Sequence, residues 1–406
     1  MRLSVRSPAG RLILLVLVGL LLVVDVVVTY QFFTSRYPGA NDFASRWAGA
    51  RAFWVDGVSP YSDEATHQIQ VLIYGRPIPP EEEQEFDPGP FAYPFYTVFL
   101  LFPIVWMSYA WAEAVWLVVL EVCLFAGLLL ALRLYDWRPP RWLLICTAVW
   151  VFFFYPHARA LLLGQFAVLV FAAVALALWA LKNERDILAG FCLALSTFKP
   201  QMVFLLIPLL LWWAVRERRW RFVVSSAAWM MLFLGASWIV EPGWLGAFVG
   251  QVSRYTSYTA IGSPIWIIAH VTFPFLGVWG EWVLSGLAIV GLIWASWWGL
   301  RQREAIWFDW VVGLCLIITN LVALRTATTN YVILLLPLVM VFRSLQHRRG
   351  SVWWILLIEV VLLVGLWVLF LATVVDRFEH PSVYLPQPFG LLAVFALARR
   401  WLVVER

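Results

Sequence analysis

Lysine occurs only twice in this chain, at Lys182 and Lys199, and the second position is the more demanding chemically. Lys199 lies between two apolar runs, next to Pro200, with no acidic residue close by in sequence. A lone cation at membrane depth costs about 3 kcal/mol or more, so such a lysine either snorkels to an interface or meets an anion in a cavity. A second pattern begins at Asn41-Asp42, where Phe43, Trp47, Ala50 and Trp54 follow at helical spacing. That spacing predicts an amphipathic helix on an interface, its aromatic stripe against lipid or protein. Asp42 falls in the first turn, where the helix dipole favours a carboxylate, and Arg46 follows one turn later on the same face. By pattern alone the pair reads as a helix cap with its counter-ion. Four further acids, Asp25, Glu113, Glu121 and Glu359, fall inside apolar runs. They could form a proton path, although pairing with arginines is the simpler account for at least two.

Other chemistries are excluded early. No G-x-G-x-x-G or G-x-x-x-x-G-K-[ST] segment follows a strand pattern, so a soluble nucleotide has no evident seat. Cys123, Cys146, Cys192 and Cys315 all sit in apolar runs without metal-ligand spacing, and neither a disulfide framework nor a cofactor is expected. The net charge of +5 comes from cations scattered among short turns, which argues against a nucleic-acid partner.

The elements that must position these residues are membrane helices. Hydrophobic residues make up 63% of the chain and charged residues 13%, about half the share of a soluble domain. Many apolar runs reach the roughly 17–25 residues that span a bilayer. The basic N-terminus followed by the apolar stretch 12–30 reads as a retained signal anchor. Trp137, Trp142, Trp220 and Trp307 mark edges of apolar runs, as interfacial anchors do.

Seven basic clusters, centred on Arg6, Arg138, Lys182, Arg218, Arg301, Arg348 and Arg400, hold 20 of the 29 Lys and Arg residues. Short cytoplasmic loops collect such charge, so all seven are assigned inside, with both termini. The segments left outside carry His157, Arg159, Gln165, Arg254, His270, Arg325, Asn330 and Arg377. Parity then requires that 95–106 and 265–275 be interfacial or re-entrant. The expected fold is all-α, a polytopic integral membrane bundle of about 12 transmembrane helices, or 14 if both segments span. It is one integral domain, 1–406, in the cell (plasma or inner) membrane. The loop 31–90 holds nine of the 24 acidic residues and is expected outside as interfacial helices, and loops this long are usually functional.

Several motifs in order resemble glycosyltransferase family 87. Asn41-Asp42-Phe43, an Ala-rich stretch and Gly57-Val58-Ser59-Pro60-Tyr61 look like that family's first-loop signature. Phe91-Ala92-Tyr93-Pro94 is similar to its Phe-x-Tyr-Pro-Pro element, with Phe95 in place of the second proline. Gly164-Gln165, then Ala189-Gly190 leading to Lys199-Pro200 and the basic turn at 216–221, follow the family's order. Where members often show His-His-Tyr, this chain has Thr329-Asn330-Tyr331.

The resemblance implies a GT-C-like hexosyltransferase that moves a sugar, often mannose, from a polyprenyl-phosphate donor. The acceptor would be a cell-envelope glycan or glycolipid, met at the outer membrane face with inversion. Asp42 is then the expected general base, with Asp56, Asp63 and Asp87 as alternatives. Lys199 is expected on the donor's phosphate, assisted by Arg159 and Arg254. Gln165, Tyr61, Tyr93 and Asn330 are expected as further substrate contacts. A competing class, a flippase or permease for a lipid-linked glycan, would need the same bundle and buried charges but no base. The paired halves with broken helices common in transporters are not evident here.

Overall fold

A computed structural model describes residues 8–39, 41–82, 89–258, 262–302, 304–349, 352–375 and 379–403. They are helical, with no β-strand among them. In chain order the first helices are α1 (Pro8–Thr29, extended by a π-turn over Tyr30–Thr34), α2 (Asn41–Trp54), α3 (Asp63–Tyr74) and α4 (Thr97–Leu101). Then come α5 (Tyr109–Leu134), α6 (Arg141–Phe153), α7 (Tyr155–Leu162), α8 (Phe166–Lys182), α9 (Asp186–Ser196) and α10 (Leu206–Arg216). The next are α11 (Trp220–Val240), α12 (Trp244–Tyr258), α13 (Pro264–Ile267), α14 (Gly277–Gly299) and α15 (Ala305–Val322). The chain closes with α16 (Leu335–Arg349), α17 (Trp353–Thr373), α18 (Pro386–Leu397) and α19 (Arg399–Val403).

Seven helices among the described residues are long and apolar enough to cross a membrane, eight if the bent pair α6–α7 is one span. Four shorter apolar helices accompany them: α8, α9, α10 and the stretch Pro381–Leu397. Length alone therefore returns fewer crossings than the expected 12. Burial sorts the long spans. The apolar windows of Ala305–Val322 and Thr328–Arg348 are 83% and 89% buried, while no residue in that of Gly10–Thr34 is buried. Because these helices are apolar all round, the bilayer can solvate whichever faces the protein leaves open. So α15 and α16 form the centre, and α1, α11, α14 and α17 the lipid-facing rim. The signal-anchor helix touches the bundle mainly at its far end, where Tyr30 stacks on Trp111 at 3.7 Å.

Breaks in these helices are satisfied locally, as membrane depth demands. Between α6 and α7 the axis bends by 55°, with Pro156 in the first turn of α7. Two carbonyls near the end of α6 are then taken up by side chains: Trp367 donates to Phe153 O (2.8 Å), and His157 Nδ1 pairs with Val151 O (2.9 Å). His157 is thus a buried structural group. The segment 94–107 holds no helix long enough to cross a membrane: α4 is five residues long and turns follow it. Its carbonyls are met from α2, by Trp54 on Val98 (3.0 Å), Trp47 on Ile104 (3.1 Å) and Arg51 on Val105 (2.8 Å). The stripe on α2 therefore faces protein. Residues 264–276 likewise break into α13, a π-turn and a 3₁₀ turn before α14.

Polar bonds inside the bundle depart from the arginine pairing expected for the intramembrane acids. Glu359 on α17 accepts from Thr147 on α6 (2.6 Å), Glu113 accepts from Gly39 N (3.1 Å), and Glu121 lies beside Asp25. Trp142 and Trp220 are exposed as interfacial anchors should be, but Trp137 is buried and donates to Gln346 (2.7 Å). Close helix approach is set by glycine. A Cβ on Gly190 in α9 would stand 2.7 Å from both the Ser225 side chain and the Ser226 backbone nitrogen of α11. Gly190→Ala should therefore force α9 and α11 apart, at about 1–3 kcal/mol. A Cβ on Gly235 meets nothing within 4 Å, so Gly235→Ala should be neutral or slightly stabilising. Thermal unfolding of the extracted protein checks this, and equal midpoints for the two variants would contradict it.

Candidate active site at the first-loop end of the bundle

The site begins with the seating of α2 on α5. Phe43 stacks on Trp116 at 5.4 Å and Trp47 meets Tyr109 edge-on at 5.5 Å. Phe43, Trp47 and Ala50 are buried there, which fixes the rotation of α2 and turns Arg46 inward with no exposed surface. Asp42 lies in the first turn and stays half-buried. Arg46 bonds the backbone carbonyl of Asp42, the Tyr93 hydroxyl and Gly164 O (3.4 Å). Its guanidinium lies 4.3 Å from the Tyr93 ring centroid and 4.9 Å from that of Phe166. An exposed cap partner would do none of this, so Arg46 is a site residue that the sequence pattern undervalued.

Gly164-Gln165 is the turn between α7 and α8. Gln165 N bonds Ala160 O (2.9 Å) and Gly164 N bonds Leu161 O (2.8 Å), the paired bonds of a Schellman ending. That ending needs a left-handed residue, and Gly164 supplies it at φ 61°. Gly164 O also accepts from Trp116 (2.9 Å). The turn sends the Gln165 side chain, 5% exposed, into the centre of the site. Its Nε2 donates to Asp42 Oδ2, while its Oε1 accepts from Lys199 Nζ (2.5 Å) and Arg46 Nη2 (3.1 Å). A primary amide has one donating and one accepting end. Here the accepting end faces two cations and the donating end faces the carboxylate.

Lys199 is 4% exposed and precedes Pro200, whose ring disfavours helix at the residue before it. Lys199 accordingly has φ −135° and ψ 77°, which interrupts the apolar run between α9 and α10. The interruption is held by Tyr96, which donates to Thr197 O (3.0 Å) and lies 5.3 Å from Phe198. Tyr61 donates to Tyr93 O (2.6 Å), so the two tyrosine motifs meet beside Arg46. Burial pushes the Tyr61 phenol well above its ordinary value, with Tyr96 and Glu241 adding to the effect. Burial raises Tyr96 to about 12 against the lowering bond from Thr197. Both therefore remain neutral donors at physiological pH.

The structure thus joins Asp42, Gln165, Lys199, Tyr93 and Tyr61 in one network and adds Arg46. The remaining expected residues have other partners. Arg159 is ion-paired with Glu379, which also accepts from Tyr155 and Thr328, so this cluster clamps α7 to later segments. Asn330 is buried and donates to Thr326 (3.0 Å). Arg254 is exposed on α12, one turn beyond Gln251, which reaches Tyr61 O at 3.5 Å. Of the alternative acids, Asp56 and Asp63 are exposed, and Asp87 lies outside the described residues. Among the described residues no group of three His, Cys, Asp or Glu could hold a metal ion.

The network sets one carboxylate beside a buried arginine and a buried lysine where water is scarce. Such a pair of donors suits an anion, and the adjacent carboxylate is able to take a proton. No curated protein and no solved structure matches the chain. The profile of glycosyltransferase family 87 does, over residues 91–324, a stretch that contains Tyr93, Gln165 and Lys199 and begins after Asp42 and Arg46. The chain belongs to glycosyltransferase family 87 and is a membrane glycosyltransferase.

Proposed function

We propose that the protein transfers a hexose, mannose by the family resemblance, from a polyprenyl-phosphate donor to a cell-envelope glycan or glycolipid. The observation that carries this reading is the Gln165 amide, bonded to Asp42 on one side and to Lys199 and Arg46 on the other. In the proposed reaction the acceptor hydroxyl attacks the anomeric carbon from the Asp42 side and its proton passes to the carboxylate. The bond from anomeric carbon to phosphate oxygen breaks on the opposite face, so the configuration inverts. A monoanionic diester becomes a phosphate monoester that carries one more negative charge. Arg46 and Lys199 are worth most at that moment, because they answer charge that develops only as the bond breaks.

The reaction is assigned to the outer face of the plasma membrane, with both termini inside. The bent pair and the four shorter apolar helices, taken as crossings, bring the long spans to about twelve and return the chain to its starting side. This reading is supported by the contact of Asp42 with Gln165, both on segments assigned outside on charge alone, and by Lys199, at membrane depth, joining them. In a cysteine-free background, Glu64→Cys is expected to react with an impermeant thiol reagent from outside and His347→Cys only after permeabilisation. The opposite pattern would reverse the topology.

Transfer from radiolabelled polyprenyl-phosphate sugar by the purified protein tests the activity itself. Translocation without covalent transfer would favour the flippase reading. Asp42→Asn is expected to cut turnover by about 10²–10⁴-fold, since asparagine still suits the helix start but takes no proton. Near-normal turnover with unchanged expression would remove Asp42 as the base. Lys199→Met is expected to leave a folded protein that binds the donor at least tenfold more weakly. Wild-type donor affinity in that variant would refute the phosphate assignment.

A further inference from the structure

A second polar cavity lies at the other end of α5 and α8, where the basic turns gather. The site above touches the first residues of α8 and this cavity its last, so the two are separated by roughly the 25 Å length of a 17-residue helix. The cavity holds about 440 Å³ and is lined by Arg133 and Tyr135 from the end of α5, Lys182 from α8, Asp309 from α15 and Arg343 from α16, with Asp136 at its rim. Asp136, itself in the lining, is ion-paired with Arg138, which is not. Lys182 donates to Leu134 O (2.6 Å) and stands 3.7 Å from Asp309, which is 7% exposed. Three cations from three helices thus converge around one buried carboxylate. The Tyr135 hydroxyl lines the same cavity in a residue 2% exposed and has no hydrogen-bond partner there. A buried hydroxyl without a partner costs about 1–3 kcal/mol.

We propose that this cavity binds a phosphate group, with Arg133, Lys182 and Arg343 facing its oxygens and Tyr135 donating to one of them. Basic pockets between helix ends at the cytoplasmic side of a membrane suit phospholipid headgroups, and a free phosphate has the same chemistry. The ligand is not the sugar donor, whose phosphate is assigned to Lys199 at the opposite end. It would stabilise the meeting of α5, α8, α15 and α16 without entering the transfer reaction.

The test measures the thermal midpoint of the full-length protein in neutral detergent, titrated with phosphatidylglycerol, phosphatidylcholine or inorganic phosphate. A rise with phosphatidylglycerol alone assigns a lipid headgroup, and a rise with inorganic phosphate assigns the free anion. A response to phosphatidylcholine equal to that of phosphatidylglycerol would overturn the proposal, as would no response to either anion. Arg133→Gln combined with Arg343→Gln is expected to abolish the rise. Should that pair fail to fold, Tyr135→Phe keeps every charge and is expected to weaken binding about tenfold. An undiminished rise in the folded variant would overturn the assignment.

Discussion

Two buried cations share one amide oxygen, and much of the site follows from the need to keep them there. Arg46 and Lys199 both donate to Gln165 Oε1, with Asp42 the carboxylate bonded to the same side chain. Burying unbalanced charge is expensive unless hydrogen bonds and counter-charge offset it. The offset here is distributed. Arg46 spends its donors on backbone carbonyls and Tyr93, and the rings of Tyr93 and Phe166 lie against its guanidinium. In the proposed reaction Arg46 and Lys199 meet the donor's phosphate.

The helix breaks serve this arrangement. Continuous helices would carry only lipid-compatible side chains past one another, without turning a glutamine or a lysine into the site. The Schellman ending at Gly164 delivers Gln165, the proline after Lys199 interrupts its helix, and the short α4 segment delivers Tyr93 and Tyr96. Each break strands backbone groups, and each finds partners from a neighbour, most visibly where Trp47, Arg51 and Trp54 of α2 bond the carbonyls around α4. The first loop is thereby a structural lid on the broken segment as well as the bearer of Asp42.

Local and compositional features of this fold were legible in the sequence; long-range partners were not. The membrane class, the helix at Asn41–Trp54 with Asp42 in its first turn, and the breaks in the apolar segments 95–106 and 265–275 all follow from local periodicity and the spacing of cations. So does the demand of Lys199 for a polar partner. That partner is Gln165, 34 residues away, and Arg46 meets the same oxygen across 119 residues. No local pattern announces such pairings. Local pattern pairs Arg46 with Asp42, its neighbour on one helix face, and offers Arg159 to the donor's phosphate, whereas in the structure Arg159 is ion-paired with Glu379. The length rule returns seven spans among the described residues because apolar runs such as the one around Lys199 are broken into short helices.

The central claim is that Arg46 and Lys199 are held together for the phosphate of the donor. Gln165→Glu tests it most directly, because it places a fixed anion between Arg46 and Lys199. The measurement is the equilibrium affinity for polyprenyl-phosphate sugar in Gln165→Glu and wild type, alongside their thermal midpoints. The account predicts a folded protein whose donor binding is at least tenfold weaker. A folded Gln165→Glu protein that binds the donor as tightly as wild type would contradict it.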